Sequence, residues 1–457
     1  MLLDSTDRAL FRRIWGLSWP IVVSNVLELT VGIVDFLMVR PFGPSATAAL
    51  GMSRQVTFLV EGAAVAISAG VIPLVSQAVG AQRGERVREI VSQSVRMVLL
   101  LAVPTTLVGM FLAKPILVGM GASEETLAHG APYLRVYFAG VVFLWGNLIG
   151  AAIFRGAGDV WTPLKLALGV SVLNVVFNYA FIFGLGPLPA FDVPGAAIAT
   201  SVARGCGALA CVALLFRGTR YVPKHLVEGG PPPDTRWNWR QMGRILRIGT
   251  PMALAGLLRN GSRLVFMAIV GIGAAGVSMH AAVGVGLQLR LISILPALAF
   301  QVATATLVGQ AIGRGNFQEA DAMWRRSAVL LGLIVAVVSA VIILLAAPLT
   351  ELFIASSDTT ELGANVLRWF AAAQFFSALS IALQGALMGA GDTTPALRYT
   401  VLGQWVVMIP LAYVLMTVLG WDPDGALAAW TIAPAITLVL TWRRLQSGVW
   451  KTKRAVL

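Results

Sequence analysis

Twelve apolar stretches, most of them longer than twenty residues, follow one another along this chain. About 20 apolar residues suffice to cross the hydrocarbon layer of a bilayer as a helix. Inside lipid the backbone must satisfy its own hydrogen bonds, and runs of this length do so as helices. The sequence therefore predicts an all-α integral membrane protein with twelve transmembrane helices, at residues 14–39, 51–79, 91–112, 131–154, 164–185, 195–216, 246–270, 278–309, 327–346, 362–388, 398–419 and 425–442.

The composition and the placement of charge agree with this interpretation. The chain is 57% hydrophobic and 12% charged, whereas soluble domains carry about 25% charged residues. A net charge of +13 would suggest a nucleic-acid partner in a soluble protein, but here the charges lie in short loops. On one side of the membrane the loops contain only Arg40, Arg54 and Lys114. The positive-inside rule then predicts a multi-pass protein of the inner (cytoplasmic) membrane, with both termini cytoplasmic and no nucleic-acid partner.

Two blocks of sequence recur at a single offset of 233 residues. LVSQAVG at 74–80 matches LVGQAIG at 307–313, and the block at 133–159 matches the block at 366–392. The longer pair shares Leu-Arg near its start and Gly-Ala-Gly-Asp at its end. Because each half carries an even number of spans, both halves should enter the membrane in the same direction. We predict two six-helix bundles related by a pseudo-twofold axis along the membrane normal, with a binding site between them.

A Gly-Gly-Pro-Pro-Pro segment separates the two halves. It interrupts any helix, and basic and Trp residues surround it. We therefore divide the chain into an N-terminal lobe (1–216), a cytoplasmic linker (217–247) and a C-terminal lobe (248–457). The Gly-Ala-Gly-Asp segments at 156–159 and 389–392 should form structural turns, in which Asp caps the next helix.

The acidic residues within the spans are Glu28, Asp35 and Glu61, all of which belong to the first half. A carboxylate in lipid is costly, so it should face protein or a wet cavity. Glu28 and Asp35 are seven residues apart and share one helical face. An ion that couples to transport through a carboxylate would therefore bind in the first half. Pro20 can bend this first helix because it lacks an N–H, and Pro251 opens the second half, so both are candidate hinges.

Two pairs of polar residues have helical spacing. Asn174 and Asn178 are four apart in span 5, and their amides can donate to or accept from a carboxyl group. A single Asn in a membrane helix more often joins helices than binds a ligand. Two Asn residues on one stripe make the functional role and the structural role equally favoured. Tyr133 and Tyr137 form a similar pair, for which spacing alone favours an interfacial aromatic belt.

Further groups in the spans carry less information. Arg259 can pair with an acid or extend to the membrane surface, and His280 is the residue type that titrates near neutral pH, although a hydrogen-bonded structural role is favoured. Cys206 and Cys211 face different directions on one helix, so neither a disulfide nor a metal site is expected.

Taken together, these motifs resemble the multidrug and toxic compound extrusion (MATE) family. The matching segments are GIVDFLMV with Pro20 upstream, LVSQAVGA, FRGAGD, NVVFNYAFIFG, GAAIAT, the stretch HAAVGVGLQLRLISILPALAFQVATATLVGQAIGRG, and LMGAGDTTP. The resemblance implies an exporter of amphipathic, often cationic compounds, driven by inward flow of protons or sodium. It also implies bending of span 1 at Pro20.

In such a transporter, the matching positions for cation coupling are Asp35, Asn174, Asn178 and Thr200. Sodium held by the first three is the alternative to a proton, and no cofactor is expected. Asn178 stands where many relatives have Asp, and Arg259 stands where sodium-coupled relatives have Glu. We expect a monomer that binds small amphipathic molecules within the bilayer. The residues assigned to its substrate cavity are Glu28, Tyr133, Tyr137, Glu61, Arg259 and His280.

Other functions fit the sequence less well. A flippase for lipid-linked sugars shares the two-bundle architecture, and Arg259, Arg263 and Arg290 keep that alternative open. Glu28 and Asp35, however, favour cationic cargo. Nothing in the sequence resembles the filter or charged ring of a channel. No nucleophile–base pair or phosphate loop of an enzyme is evident.

Overall fold

The computed structural model describes residues 5–217, 236–271, 276–351, 357–421 and 423–452. Within these ranges the regular structure is helical, apart from one isolated bridge between Leu185 and Leu188. The α-helices are α1 Ser5–Val39, α2 Pro44–Gly80, α3 Gly84–Gly119, α4 Glu124–Ala139, α5 Val141–Ala157, α6 Trp161–Phe183, α7 Asp192–Arg217, α8 Trp239–Val270, α9 Gly276–Gly313, α10 Phe317–Leu344, α11 Ala346–Glu351, α12 Ser357–Ala390, α13 Thr394–Val401, α14 Ile409–Tyr413 and α15 Asp424–Gln446. Short 3-10 turns occupy Arg40–Phe42 and Val449–Thr452.

The apolar helices agree with the predicted set of spans. In the described ranges, 11 helical segments have the length and apolar composition needed to cross a bilayer, and a twelfth is obtained when α4 and α5 are counted as one span. The predicted fold class, an all-α membrane protein, is confirmed.

Span 4 is bent, whereas the sequence predicted one uninterrupted run over 131–154. Helices α4 and α5 meet at Gly140 with an angle of 51° between them. A Cβ atom at Gly140 would lie 2.2 Å from Ser201 Oγ on α7. The absence of a side chain therefore permits α7 to approach closely at the bend.

Span 11 contains two stretches of π-helix. Leu402–Met408 joins α13 to α14, and Val414–Val418 follows α14. π-Helical turns are rare and frequently occur at functional sites. The hydrophobic pattern gave no sign of these turns.

The chain forms two compact units, one comprising Val23–Gly249 and the other Met1–Val22 together with Thr250–Leu457. They differ from the predicted lobes at two places. The first turns of α1 belong with the second half of the chain, and the first turns of α8 belong with the first half. The unit boundaries fall within two residues of Pro20 and Pro251.

In the Val23–Gly249 unit, the beginning of α8 packs closely on α2. A Cβ at Gly249 would lie 1.6 Å from the Ala66 carbonyl oxygen, and one at Gly70 would lie 2.1 Å from the Ile245 carbonyl oxygen. Glycine on both helices therefore allows the two backbones to touch. Residues 239–247, predicted as linker, are instead the first turns of a helix that buries Met242 and Ile245. The linker residues 218–235 lie outside the described ranges.

In the other unit, α9, α10 and α12 share a buried apolar cluster that includes Phe300, Trp324 and Leu387. Ile14 of α1 is fully buried in the same cluster. Arg13 Nη1 lies 2.9 Å from Glu319 Oε1 at the start of α10. These contacts explain why the first turns of α1 belong to this unit.

The two Gly-Ala-Gly-Asp segments are structural turns, as predicted. Gly158 has a φ of 93° and Gly391 a φ of 81°, which a residue without a side chain adopts most readily. Asp159 Oδ1 accepts from the Thr162 N–H at 3.0 Å, in the first turn of α6. Asp392 instead pairs with Arg444 at 2.8 Å.

Candidate functional site

Four polar side chains of α1, α6 and α7 form one hydrogen-bonded chain in the Val23–Gly249 unit. Asn178 Nδ2 donates to Asp35 Oδ1 at 2.5 Å and to Asn174 Oδ1 at 3.1 Å. Asn174 Nδ2 in turn donates to Thr200 Oγ1 at 3.0 Å. The structure thus brings together Asp35, Asn174, Asn178 and Thr200, the four residues that the sequence assigned to cation coupling. Their role in coupling stays a prediction.

Helical spacing positions this chain. Asn174 and Asn178 are one turn apart on α6, and both side chains are buried, at 1% and 0% exposure. Asp35 and Thr200 are half-buried. The carboxylate therefore lies at the accessible end of a network whose interior is closed.

The hydrogen bonding at Asn178 leaves one oxygen atom without a partner. A carboxylate only accepts hydrogen bonds, so the NH₂ group of Asn178 must face Asp35. That group uses its two hydrogens on Asp35 and Asn174, and the buried Asn178 Oδ1 has no hydrogen-bond partner. A buried acceptor without a donor is costly. An uncompensated amide oxygen beside a carboxylate is a suitable environment for a cation or for a proton-carrying group.

A second polar group lies in the same unit and contains Glu61 of α2. The Tyr137 hydroxyl donates to Glu61 Oε1 at 3.5 Å, and Arg204 Nη1 lies 4.0 Å from the same oxygen. Tyr133 and Tyr137 are only 9% and 7% exposed. The interpretation of these tyrosines as an interfacial belt is therefore wrong, because both rings are buried within the protein.

Two arginines of this region were not identified from the sequence. Arg204 follows Thr200 by one turn of α7, so its spacing offered a signal. Arg54 Nη1 donates to the Gly32 carbonyl at 3.2 Å, one turn before Asp35 on α1. Its guanidinium lies over Gly32, where a Cβ would be 2.5 Å from Nη2. No spacing rule links Arg54 to α1, since this contact joins two separate helices.

The remaining predicted site residues are distributed as follows. Glu28 is exposed on α1, and Pro20 is buried inside that helix, which continues past it. Arg259 of α8 donates to Gln384 Oε1 at 3.3 Å and lines a cavity in the second compact unit. Pro251 is half-buried on α8, and the side chain of His280 lies outside the described part of the chain.

The acids do not form a conventional metal centre. Among the described residues, no group of three or more His, Cys, Asp or Glu side chains comes together. Sodium at Asp35 would therefore depend on one carboxylate together with amide and hydroxyl oxygens, the ligand type that hard cations prefer.

Comparison with known sequences gives a consistent result. The MatE family model matches residues 20–180 and 251–414, one segment in each half of the chain. A probable multidrug resistance protein NorM of Thermotoga maritima is 30% identical over 446 residues, which cover 96% of this chain and 93% of that protein. A probable multidrug resistance protein NorM of Rhodopseudomonas palustris is 29% identical, covering 95% of this chain and 91% of that protein.

Solved structures share the same fold. The crystal structure of a MATE protein in the straight conformation matches with a TM-score of 0.84 at 23% sequence identity, covering 98% of this chain and 99% of that one. At this identity the likeness concerns the fold alone.

Proposed function

The chain belongs to the MatE family of multidrug and toxic compound extrusion transporters, and on that premise we propose that it is an antiporter coupled at Asp35. It exports amphipathic, often cationic organic compounds in exchange for protons or sodium. Family membership makes it a multi-pass membrane transporter rather than an enzyme. The coupling ion, the coupling residue and the cargo class are the parts that we propose.

The observation that carries this proposal is the state of the Asp35 carboxylate. In the described part of the chain, Asp35 forms no ion pair, and its hydrogen-bond donor is the neutral amide of Asn178. The Asn178 Oδ1 atom nearby lacks a donor. One added proton or sodium ion would compensate both deficits, because either places positive charge beside the carboxylate and the amide oxygen.

The transport cycle follows from this exchange. In the outward-open state Asp35 takes up the external cation, and cargo leaves. In the inward-open state the cation passes to the cytoplasm, and Asp35 regains its charge. Pro20 is the proposed hinge, since proline removes one backbone hydrogen bond from α1. The unit boundary, which lies two residues beyond Pro20, supports this role.

The cargo preference rests on charge and aromatic surface. Glu28 and Glu61 supply negative charge in the first half, and electrostatics of this sign favours cations. Tyrosine rings can also bind cations through their faces. Tyr137 donates to Glu61, so one such ring lies beside this carboxylate.

Export in reconstituted vesicles tests the proposal. Purified protein is placed in liposomes, and efflux of a cationic dye is driven by a pH gradient or by a sodium gradient, one at a time. We expect Asp35→Asn to abolish the effect of whichever gradient is active. Asp192→Asn is the matched control, because Asp192 is exposed and has a φ of 51°, which Asn tolerates. Gradient-driven efflux that survives Asp35→Asn would contradict coupling at this residue.

One observation favours a second candidate, a flippase of a lipid-linked precursor. Arg259 and Arg290 line a polar cavity in the second compact unit, and guanidinium groups bind phosphate groups well. A lipid-precursor flipping assay run beside dye efflux distinguishes the two activities. Flipping without dye efflux would replace the antiporter proposal.

A further inference from the structure

A cavity in the second compact unit combines two guanidinium groups with a polar lining. Helices α8, α9, α12, α13 and α15 and the π-helical part of span 11 surround about 580 Å³ of space, part of which is open solvent. None of the lining residues is acidic. The polar ones are Arg259, Arg290, Gln374, Ser377, Ser380, Gln384, Thr400, Gln404 and Thr437.

The positive charge of this cavity is not balanced within the described residues. Arg290 has no hydrogen-bond acceptor or ion-pair partner there, and Arg259 donates only to the neutral Gln384. Arg259 and Arg263 also lie close enough to Arg290 to repel it. Three half-buried cations without a nearby acid are unfavourable, and an anion in the cavity would reduce their repulsion.

A buried amide oxygen in the cavity is also left without a partner. Gln374 lines the cavity at 4% exposure, and its Oε1 atom has no hydrogen-bond partner. Buried polar groups in native proteins are normally satisfied. A ligand that carries a hydroxyl beside its anionic oxygens, such as a monoprotonated phosphate group, would donate to this atom.

The geometry of span 11 indicates that the cavity is a built site. Gln404 lies in the π-helical stretch Leu402–Met408 and accepts from the Ser262 hydroxyl at 3.0 Å. Gln384 is held by Ser380 at 3.4 Å while it accepts from Arg259. The amides of Gln384 and Gln404 are therefore fixed by hydrogen bonds, and the helix that contributes Gln404 departs from regular α geometry at that point.

We propose that this cavity binds an oxyanion, namely a carboxylate or phosphate group, through Arg259 and Arg290. Guanidinium groups present donors that match the oxygens of either group. The transporter would accordingly accept amphipathic molecules that carry an anionic group as well as cationic ones. Binding here does not require coupling at Asp35, which belongs to the other compact unit.

Equilibrium binding to the full-length protein tests the site. The protein is placed in nanodiscs of zwitterionic phosphatidylcholine, and binding of carboxyfluorescein, which carries carboxylates, is followed by fluorescence anisotropy. Loss of a charged hydrogen bond corresponds to about a tenfold or greater loss of affinity. We expect that loss in Arg259→Gln and in Arg290→Gln. Arg368→Gln is the matched control, since Arg368 is exposed on α12 and does not line the cavity.

A second change keeps the test decisive if an arginine variant fails to fold. Gln374→Glu adds a carboxylate beside the guanidinium groups and should weaken probe binding while both arginines remain. The absence of probe binding to the unaltered protein, or equal binding by all the variants, would overturn the proposal. Because binding is measured without a gradient, failure here is distinct from failure of coupling at Asp35.

The source of the anionic group is determined by competition. Inorganic phosphate in the buffer and phosphatidylglycerol in the nanodisc are added separately. Displacement of the probe by phosphate alone supports a site for soluble anions, and displacement by phosphatidylglycerol alone supports a site for a lipid headgroup. Neither competitor should displace the probe further in Arg290→Gln.

Discussion

Asn178 connects the carboxylate of Asp35 to the buried Asn174 in the polar chain. Asn178→Ala removes the hydrogen-bond donor of Asp35 and the unpartnered Oδ1 atom together. A hydrogen bond to a charged group contributes about 1.5–3 kcal/mol, so we expect the apparent affinity for the coupling ion to change roughly tenfold or more. A proton should bind more tightly, because the charged carboxylate loses its donor, whereas sodium should bind more weakly, because it loses the Oδ1 atom as a ligand. The measurement is the dependence of dye efflux on external pH or sodium concentration.

A suitable control for this change is Asn365→Ala. Asn365 donates to Asp424 at 2.8 Å in a separate, exposed pair, so its loss should leave the ion dependence unchanged. An unchanged ion dependence in Asn178→Ala would show that Asp35 does not need this donor, and the coupling site would have to be sought elsewhere.

Also at the residue scale, the sequence identified the acidic and amide side chains of the site better than its arginines. Asp35 was found because a carboxylate is rare in an apolar run, and Asn174 and Asn178 were found because they are one turn apart. Thr200 came from family resemblance. Arg54 was missed because its contact joins two separate helices, and helical periodicity carries no information about such pairs. Arg204 lies one turn after Thr200, so its spacing offered a signal that was not used.

Among the helices, the close packing of α8 on α2 depends on glycine. In Gly249→Ala the added Cβ would lie 1.6 Å from the Ala66 carbonyl oxygen, so the backbones must separate. Overpacking of this kind costs about 1–3 kcal/mol, and the unfolding temperature in detergent should fall. Gly256→Ala on the same helix is the control, because its Cβ would meet nothing within 4 Å and Ala favours a helix. Equal unfolding temperatures in the two variants would contradict the contact.

Hydrophobic periodicity did not predict where α8 begins or where span 4 bends. The recurring basic residues at 239–247 predict a linker, yet Met242 and Ile245 are buried and belong to the first turns of α8. At the bend in span 4, Gly140 lets Ser201 on α7 approach closely. Only the tertiary contacts reveal these two features, and this explains why the apolar pattern predicted the existence of the helices better than their limits and bends.

In the whole molecule, the two halves correspond in the division into compact units as well as in the number of helices. Each half opens with a helix whose first turns belong to the compact unit of the other half. Each of these helices has a proline within two residues of the unit boundary. The halves nevertheless differ in charge, since the hydrogen-bonded acid lies in the first and the unbalanced arginines lie in the second. Our two proposals therefore assign a cation-favouring site to the first half of this duplicated scaffold and an anion-favouring site to the second.

The orientation of the whole chain is the remaining global prediction, and two glutamates test it. Glu85 lies in the first turn of α3, and Glu124 opens α4 just beyond the end of α3; both are exposed. Because α3 is long and apolar enough to cross the membrane, these residues should lie on opposite sides. The positive-inside rule places Glu85 in the cytoplasm and Glu124 outside.

The experiment uses Glu85→Cys and Glu124→Cys in a Cys206→Ser background, which removes the exposed cysteine and leaves the buried Cys211. A membrane-impermeant maleimide applied to intact cells should label Glu124→Cys and spare Glu85→Cys. Permeabilised cells should show labelling of both, which establishes that each thiol is reactive. The reverse labelling pattern in intact cells would contradict the predicted orientation and would show that Glu85 lies outside and Glu124 in the cytoplasm.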